Sequence, residues 1–215
     1  MTNQNQTLEQ RFESLPEVQK DKGLWQNKFH EFDVYTHTTE FVKYLKGLTN
    51  EPDMIASGYL HDIGKPVVAK PKYKDGKLLE KSLGISYNEF DDHEIVGEEM
   101  VKKMDSSLFK EYGLNQEKIA KLVGSHYLPM DGIKKMRETK TFNDFKKSYE
   151  DLEHTLKQTG YKSEVLAMFT ADKLAQGKFC TDKDELFAIH NYLANSKGSL
   201  ENIYKMQKQA YGGKE

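Results

Sequence analysis

The chain has 215 residues, with 34 acidic side chains against 32 Lys and Arg, a net charge of −2. That length carries one domain with a substantial core, and the balanced charge excludes a global basic field, so no stable binding of double-stranded DNA is expected. A single cysteine, Cys180, excludes a disulfide framework within the chain and a cysteine-rich zinc site.

Residues 1–23 are polar and expected to be loosely ordered at first. The opening MTNQNQTLEQRFESLPEVQK lacks the apolar stretch of a secretory signal, and no run approaches the roughly 20 apolar residues of a membrane span. A cytoplasmic chain with no membrane partner is therefore expected. Val34, Thr38, Phe41, Leu45 and Leu48 form a helical stripe. Gly47, Thr49 and Asn50 break it. Asn50 suits the next N-cap, with Pro52 in the first turn and Asp53 at the capping-box position. The helix through Met54, Ile55 and Leu60 should stop near Gly64, because Pro66 cannot continue it. From Val67 to Phe90 the chain is Lys-rich and carries Asp75-Gly76, a turn signal that predicts a small β-hairpin or extended loop. Helical patterning resumes at Asp92, with Ile95, Val96, Met100 and Met104 on one buried side. A helix over 115–127 turns Ile119, Leu122 and Val123 inward. Phe142, Phe145, Tyr149, Leu152 and Leu156 form the next stripe, followed by Val165, Met168, Phe169 and Leu174. Thr181 and Asp184 read as a capping box before Leu186, Phe187, Ile189 and Leu193. Leu200, Ile203 and Tyr204 mark the last helix. The pattern predicts an all-α bundle of about seven to nine helices with an insertion near residues 67–90.

Seven histidines punctuate this pattern, and four fall on or beside apolar faces. His37 lies one turn before Phe41. His61 follows Met54 and Gly58. His93 aligns with Val96, Gly97 and Met100. His126 follows Ile119, Leu122 and Val123. Asp172 likewise follows Val165, Met168 and Phe169. A carboxylate on an inward face is costly unless it is paired or bound to a metal. One inward histidine is ordinarily a satisfied core residue. Several on separate helices are most economically explained by one shared centre. Imidazole and carboxylate together suit Mn, Fe, Co, Ni, Zn or Mg. The neighbours His61 and Asp62 point about 100° apart on a helix. One can complete a first metal site while the two oxygens of the other bridge to a second.

Three segments, DVYTHT (33–38), YLHDIGKP (59–66) and FTADKLAQ (169–176), resemble the HD-domain phosphohydrolase superfamily, whose pattern His, His-Asp, Asp matches His37, His61-Asp62 and Asp172. With FDDHEIVGEEM (90–100) and SHYLP, the resemblance narrows to the HD domain of bacterial CCA-adding tRNA nucleotidyltransferases. It covers about residues 29–130 and the segment around Asp172. No nucleotidyltransferase motif precedes it, so a free-standing single HD domain over 24–215 is expected. The resemblance implies a metal-dependent phosphoric ester hydrolase acting on a nucleotide or RNA-terminus phosphate. 2′,3′-Cyclic phosphates or nucleoside monophosphates are the first substrates to test. It also implies one or two divalent ions held by His37, His61, Asp62 and Asp172, with His93 and His126 holding the second. Lys65, one turn beyond Asp62, and Lys173, beside Asp172, would stabilise phosphoryl oxygens, the alternative for each being a solvated surface lysine. Lys70, Lys72, Lys74, Lys77 and Lys81 could steer a polyanion or form a solvated loop. Tyr87 and Tyr127 suit rim packing more than base stacking. His30, in NKFHEFDVY, is expected beside the site rather than on a metal. His154 and His190 read as surface or core-edge residues, and Glu94 as a first-turn acid favoured by the helix dipole. The same ligand set also fits HD-fold oxygenases with two irons, and a nucleotide-binding module without turnover is a further alternative.

Overall fold

The computed structural model describes residues 6–211. Among them stand eleven helices of six residues or more, two single helical turns and three small strand pairs. That is an all-α architecture with an insertion, as the periodicity predicts, and with more helices than predicted.

Part of the surplus lies in the segment expected to be loose. α1 (Leu8–Glu13) opens with a capping box between Thr7 and Gln10, and α2 (Pro16–Gln19) opens on proline. Phe12 and Val18 are wholly buried, Phe12 packing edge-on against Phe109 and Tyr112. Fully burying such side chains is worth roughly 1.5–3 kcal/mol each, which orders a stretch whose composition is otherwise polar. Residues 1–5 of that segment lie outside the described residues.

α3 (Val34–Lys46) buries Val34, Thr38, Phe41 and Leu45 as the stripe predicts, while Leu48 lies past its end and is exposed. α4 (Pro52–Leu60) is capped at Glu51, not Asn50. Pro52 fixes the start one residue later, and Asp53 accepts the Asn115 N–H instead of closing a capping box. α4 packs against α3 and α1. Pro66 does not simply follow the helix. It opens a further turn, α5 (Lys65–Val68), after the turn at His61–Gly64.

The insertion is a chain of three antiparallel ladders. β1 (Lys70–Pro71) pairs with β6 (Asn88–Glu89), β2 (Tyr73–Lys74) with β3 (Lys77–Leu78), and β4 (Glu80–Ser82) with β5 (Ile85–Ser86). Asp75 and Gly76 both take positive φ between β2 and β3, the backbone an Asp-Gly turn supplies at low cost.

α6 (His93–Lys103) departs from its predicted face: His93, Gly97 and Val101 are buried, and Ile95 is exposed. α7 (Ser106–Glu111), absent from the sequence pattern, buries Leu108 and Phe109. α8 (Gln116–Ser125) buries Ile119, Leu122 and Val123. α9 (Leu128–Glu138) was also not predicted, and opens on Pro129. α10 (Phe142–Gln158) buries Phe145, Leu152 and Leu156, and α11 (Lys162–Leu174) buries Val165, Met168 and Phe169. A short 3-10 turn at Gly177–Phe179 precedes α12 (Lys183–Asn195), whose N-cap is Asp182 with no side-chain cap bond, so the Thr181 capping box does not form. α13 (Leu200–Tyr211) buries Ile203.

The chain forms two compact units. The first runs to Gly124 and takes back Ala171–Cys180; the second holds Ser125–Thr170 and the residues from Thr181 onward. Two of its three boundaries fall at the end of α8 and inside α11, and the third falls between Cys180 and Thr181, just before α12. In the second unit α9, α10 and α13 pack on one another and α12 packs on α13.

Candidate metal centre

His37 is placed by the first turn of α3. Asp33 caps that helix, its Oδ1 accepting the Thr36 N–H at 2.8 Å and its Oδ2 the Gly23 N–H at 2.7 Å. Asp172 comes from the last turn of α11. Its Oδ1 lies 2.9 Å from His37 Nε2. His61 follows the last residue of α4 and stacks on the Phe41 ring at 4.1 Å between centroids. One ligand atom each from His37, His61 and Asp172 lies within 4.8 Å of the others, and all three residues are buried.

Asp62 sits between the imidazoles. Its Oδ2 is 3.1 Å from His61 Nε2 and 3.8 Å from His37 Nε2, while its Oδ1 is 3.4 Å from His93 Nε2 and accepts no hydrogen bond among the described residues. His93 reaches this position because α6 meets the turn after α4 at two glycines. A Cβ on Gly64 would stand 2.1 Å from the His93 carbonyl oxygen, and one on Gly97 would press on the Val123 side chain.

The ring tautomers follow from backbone carbonyls, which only accept. His37 Nδ1 faces Ala175 O at 3.2 Å, His61 Nδ1 faces Gly58 O at 2.8 Å, and His93 Nδ1 faces Phe90 O at 2.9 Å. Each Nδ1 therefore carries a proton, and each ring turns its Nε2 toward the carboxylates. Glu94 Oε2, 3.2 Å from His93 Nδ1, reinforces that tautomer. An Nε2 set against a carboxylate oxygen needs a cation, a proton or a metal ion, between the two. Carbonyls that fix the far nitrogen are how metal-binding imidazoles are oriented. The donor set thus fits a divalent ion.

The electrostatics agree. Burial alone would raise both carboxyls. Positive charge at His61 and Lys65 outweighs burial at Asp62, and the hydrogen bond and charge of His37 outweigh it at Asp172, so both are held well below the ordinary carboxylate range. Lys65 is buried, not solvated. Its Nζ donates to Asp62 Oδ2 and Gln26 Oε1, each at 2.6 Å. Lys173 is also buried and donates to Gln176 Oε1 at 3.0 Å. His126 is buried in the turn after α8, at the head of the second unit. His190 meets Thr170 Oγ1 and His154 lies exposed beside Gln158 on α10. Tyr87 and Tyr127 are half-buried. Among the insertion lysines, Lys72 pairs with Glu89 and Lys81 lies over the Trp25 ring.

Three residues escaped the sequence reading. Gln26, buried, holds Lys65. Asp21 is wholly buried with neither carboxylate oxygen hydrogen-bonded among the described residues, and burial together with the negative charge of Asp62 pushes its pKa up to about 8. Asn27 fixes His30, whose ring stands edge-on to that of His37 at 5.3 Å. Burial, then the neighbouring His37, lowers His30 to about 3, so its ring is neutral near pH 7. No periodic pattern runs through residues 21–30, which is why these positions carried no signal beyond the histidine itself.

A family model described as the HD domain matches residues 34–177. The A-adding tRNA nucleotidyltransferase of Deinococcus radiodurans is 30% identical over 130 residues, which is 58% of this chain and 27% of that protein. This chain thus spans about a quarter of the curated relative it matches. No solved structure matches it. The match over 34–177, which takes in His37, His61-Asp62 and Asp172, shows that the chain belongs to the HD-domain family.

Proposed function

We propose that the chain is a metal-dependent phosphoric ester hydrolase that acts on a phosphoester of a nucleotide or RNA end. His37, His61, Asp62 and Asp172 would hold one divalent ion. Asp62 and His93 would contribute to holding a second. The observation that carries this reading is the set of three imidazoles whose Nδ1–H groups are committed to backbone carbonyls, leaving their Nε2 atoms around the carboxylates of Asp62 and Asp172. Membership of a family of metal-dependent hydrolases supports it, and the tRNA nucleotidyltransferase relative supports a nucleic-acid-end substrate.

A bound divalent ion supplies Lewis acidity at a phosphoryl oxygen and an acidified water at neutral pH. The side chains do the remaining work. Asp62 presents one oxygen toward His37 and His61 and the other toward His93, the arrangement a bridging carboxylate needs. Lys65 fixes the Asp62 rotamer. Of the three N–H bonds of its ammonium, the described residues take two, and the third is of a kind that stabilises an equatorial phosphoryl oxygen. Lys173 would add a second positive charge beside Asp172.

The test is hydrolysis of bis-p-nitrophenyl phosphate by metal-stripped protein resupplied separately with Mn, Co, Ni, Mg and Zn, with Asp62→Ala alongside. Restored activity that falls at least 100-fold in the variant is expected, since ligand loss removes metal and charge together. Failure with every metal, on this diester and on nucleoside monophosphates, would sink the hydrolase reading. Iron-dependent oxygen consumption would then favour a di-iron oxygenase.

A further inference from the structure

His30 belongs to no helical face, yet its acceptor and donor roles are determined. The backbone N–H of Phe29 donates to Asn27 Oδ1 at 2.9 Å, which fixes which end of the Asn27 amide is oxygen. The same oxygen lies 3.0 Å from His30 Nδ1. An amide oxygen only accepts, so Nδ1 carries a proton, and in the neutral imidazole the lone pair is then on Nε2. Nε2 makes no protein hydrogen bond among the described residues, and the ring is half-buried beside His37. A phosphate oxygen cannot satisfy such an atom, because it too accepts. An O–H group can.

We propose that His30 Nε2 accepts a hydrogen bond from a sugar hydroxyl that flanks the scissile phosphoester, which makes His30 a specificity residue for ribose over deoxyribose. The nature of the substrate rests on the hydrolase reading above. The acceptor role rests on the Phe29–Asn27–His30 chain, which sets the tautomer of the neutral ring. On a nucleotide end, the O–H groups closest to the phosphorus are those of the sugar, and the 2′-hydroxyl is the group that separates RNA from DNA.

Two probes differ by that hydroxyl: adenosine 3′-monophosphate and 2′-deoxyadenosine 3′-monophosphate. Calorimetric binding of each to the full chain loaded with Mn should favour the ribonucleotide by roughly tenfold, the scale of one hydrogen bond to a buried acceptor. His30→Ala should bring the ratio close to one. Equal affinities in the unaltered protein, an unchanged ratio in the variant, or no binding of either nucleotide would overturn the proposal. An equal loss of turnover on both nucleotides with the binding ratio intact would assign the acceptor to a water and overturn it too. Nitrogen-15 spectra of the unaltered protein provide a test that needs no variant to fold: the His30 ring should be protonated at Nδ1 and bare at Nε2, and the opposite tautomer refutes the idea. Absent turnover with the ribose preference preserved would count against the hydrolase reading alone.

Discussion

At the scale of single residues, the chain around the centre is held by partners drawn from far away in sequence. Lys65 was predicted at the site because it lies one turn beyond Asp62, but its second partner, Gln26, is 39 positions earlier. Nothing in a 3.6-residue period reports such a contact, since it is made by a loop meeting a helix end. Asp21 is the extreme case. It contributes no apolar pattern, and its importance arises only when burial sets it near Asp62. Its raised pKa has a testable sign. In the unfolded chain the carboxyl ionises near the usual value of about 4, whereas in the folded chain it holds its proton up to about 8. The stability it contributes is fully present below the unfolded value and is lost as pH rises through about 8. Asp21→Asn, which cannot ionise, should therefore gain stability relative to the unaltered protein between pH 5 and pH 8, read from denaturant midpoints of chelator-treated samples. A difference that does not change with pH would refute the assignment.

Among the elements, the decisive contact is the one between the turn after α4 and the start of α6. The sequence offers Gly64 and Gly97 without saying that they face each other. In the structure the backbone of one lies against the backbone of the other, with 3.7 Å between the Cβ that Gly97 lacks and Gly64 N. This closeness places His93 against Asp62. A methyl at Gly64 would collide with backbone, which cannot swing aside, whereas one at Gly97 meets chiefly a valine side chain. Gly64→Ala should thus cost about 2–3 kcal/mol or more and weaken Mn binding, and Gly97→Ala should be the milder change. Equilibrium unfolding and metal titration of the two variants measure this, and equal effects would contradict the geometry. The same element explains a misread face. His93 and Gly97 themselves form the buried stripe of α6, so a search for apolar periodicity selected Ile95 and its neighbours instead. The capping errors at Asn50 and Thr181 have a related cause. Both residues suit a cap chemically, but Pro52 and Asp182 set the start of each helix.

For the whole molecule, the helical frame and five of the proposed ligands were legible because burial of imidazole and carboxylate on apolar faces leaves a mark in a single sequence. The order in the N-terminal segment and the helices α7 and α9 were less legible, their apolar positions being few. The second unit has its own polar anchor. Arg137 donates to Asp182 and Glu185, and Glu185 also accepts from Gln207, with Glu185 and Gln207 buried. Arg137→Ala would strand that carboxylate and should destabilise the protein by about 3–5 kcal/mol in calorimetric or denaturant unfolding; a loss below about 1 kcal/mol would show the network to be dispensable. The insertion behaves oppositely. It leaves and re-enters the helical frame through one strand pair, Lys70 beside Glu89 and Pro71 beside Asn88, with the Asn88 amide tied to the Trp25 carbonyl. Since partner residues in such a pair stand about 5 Å apart, its entry and exit are already joined whatever is strung between them. The entropy of closing a loop grows only with the logarithm of its length. The span between Pro71 and Asn88 is consequently a natural splice point, where a reporter peptide or a shorter turn could be grafted while the helices that present the histidines keep their places.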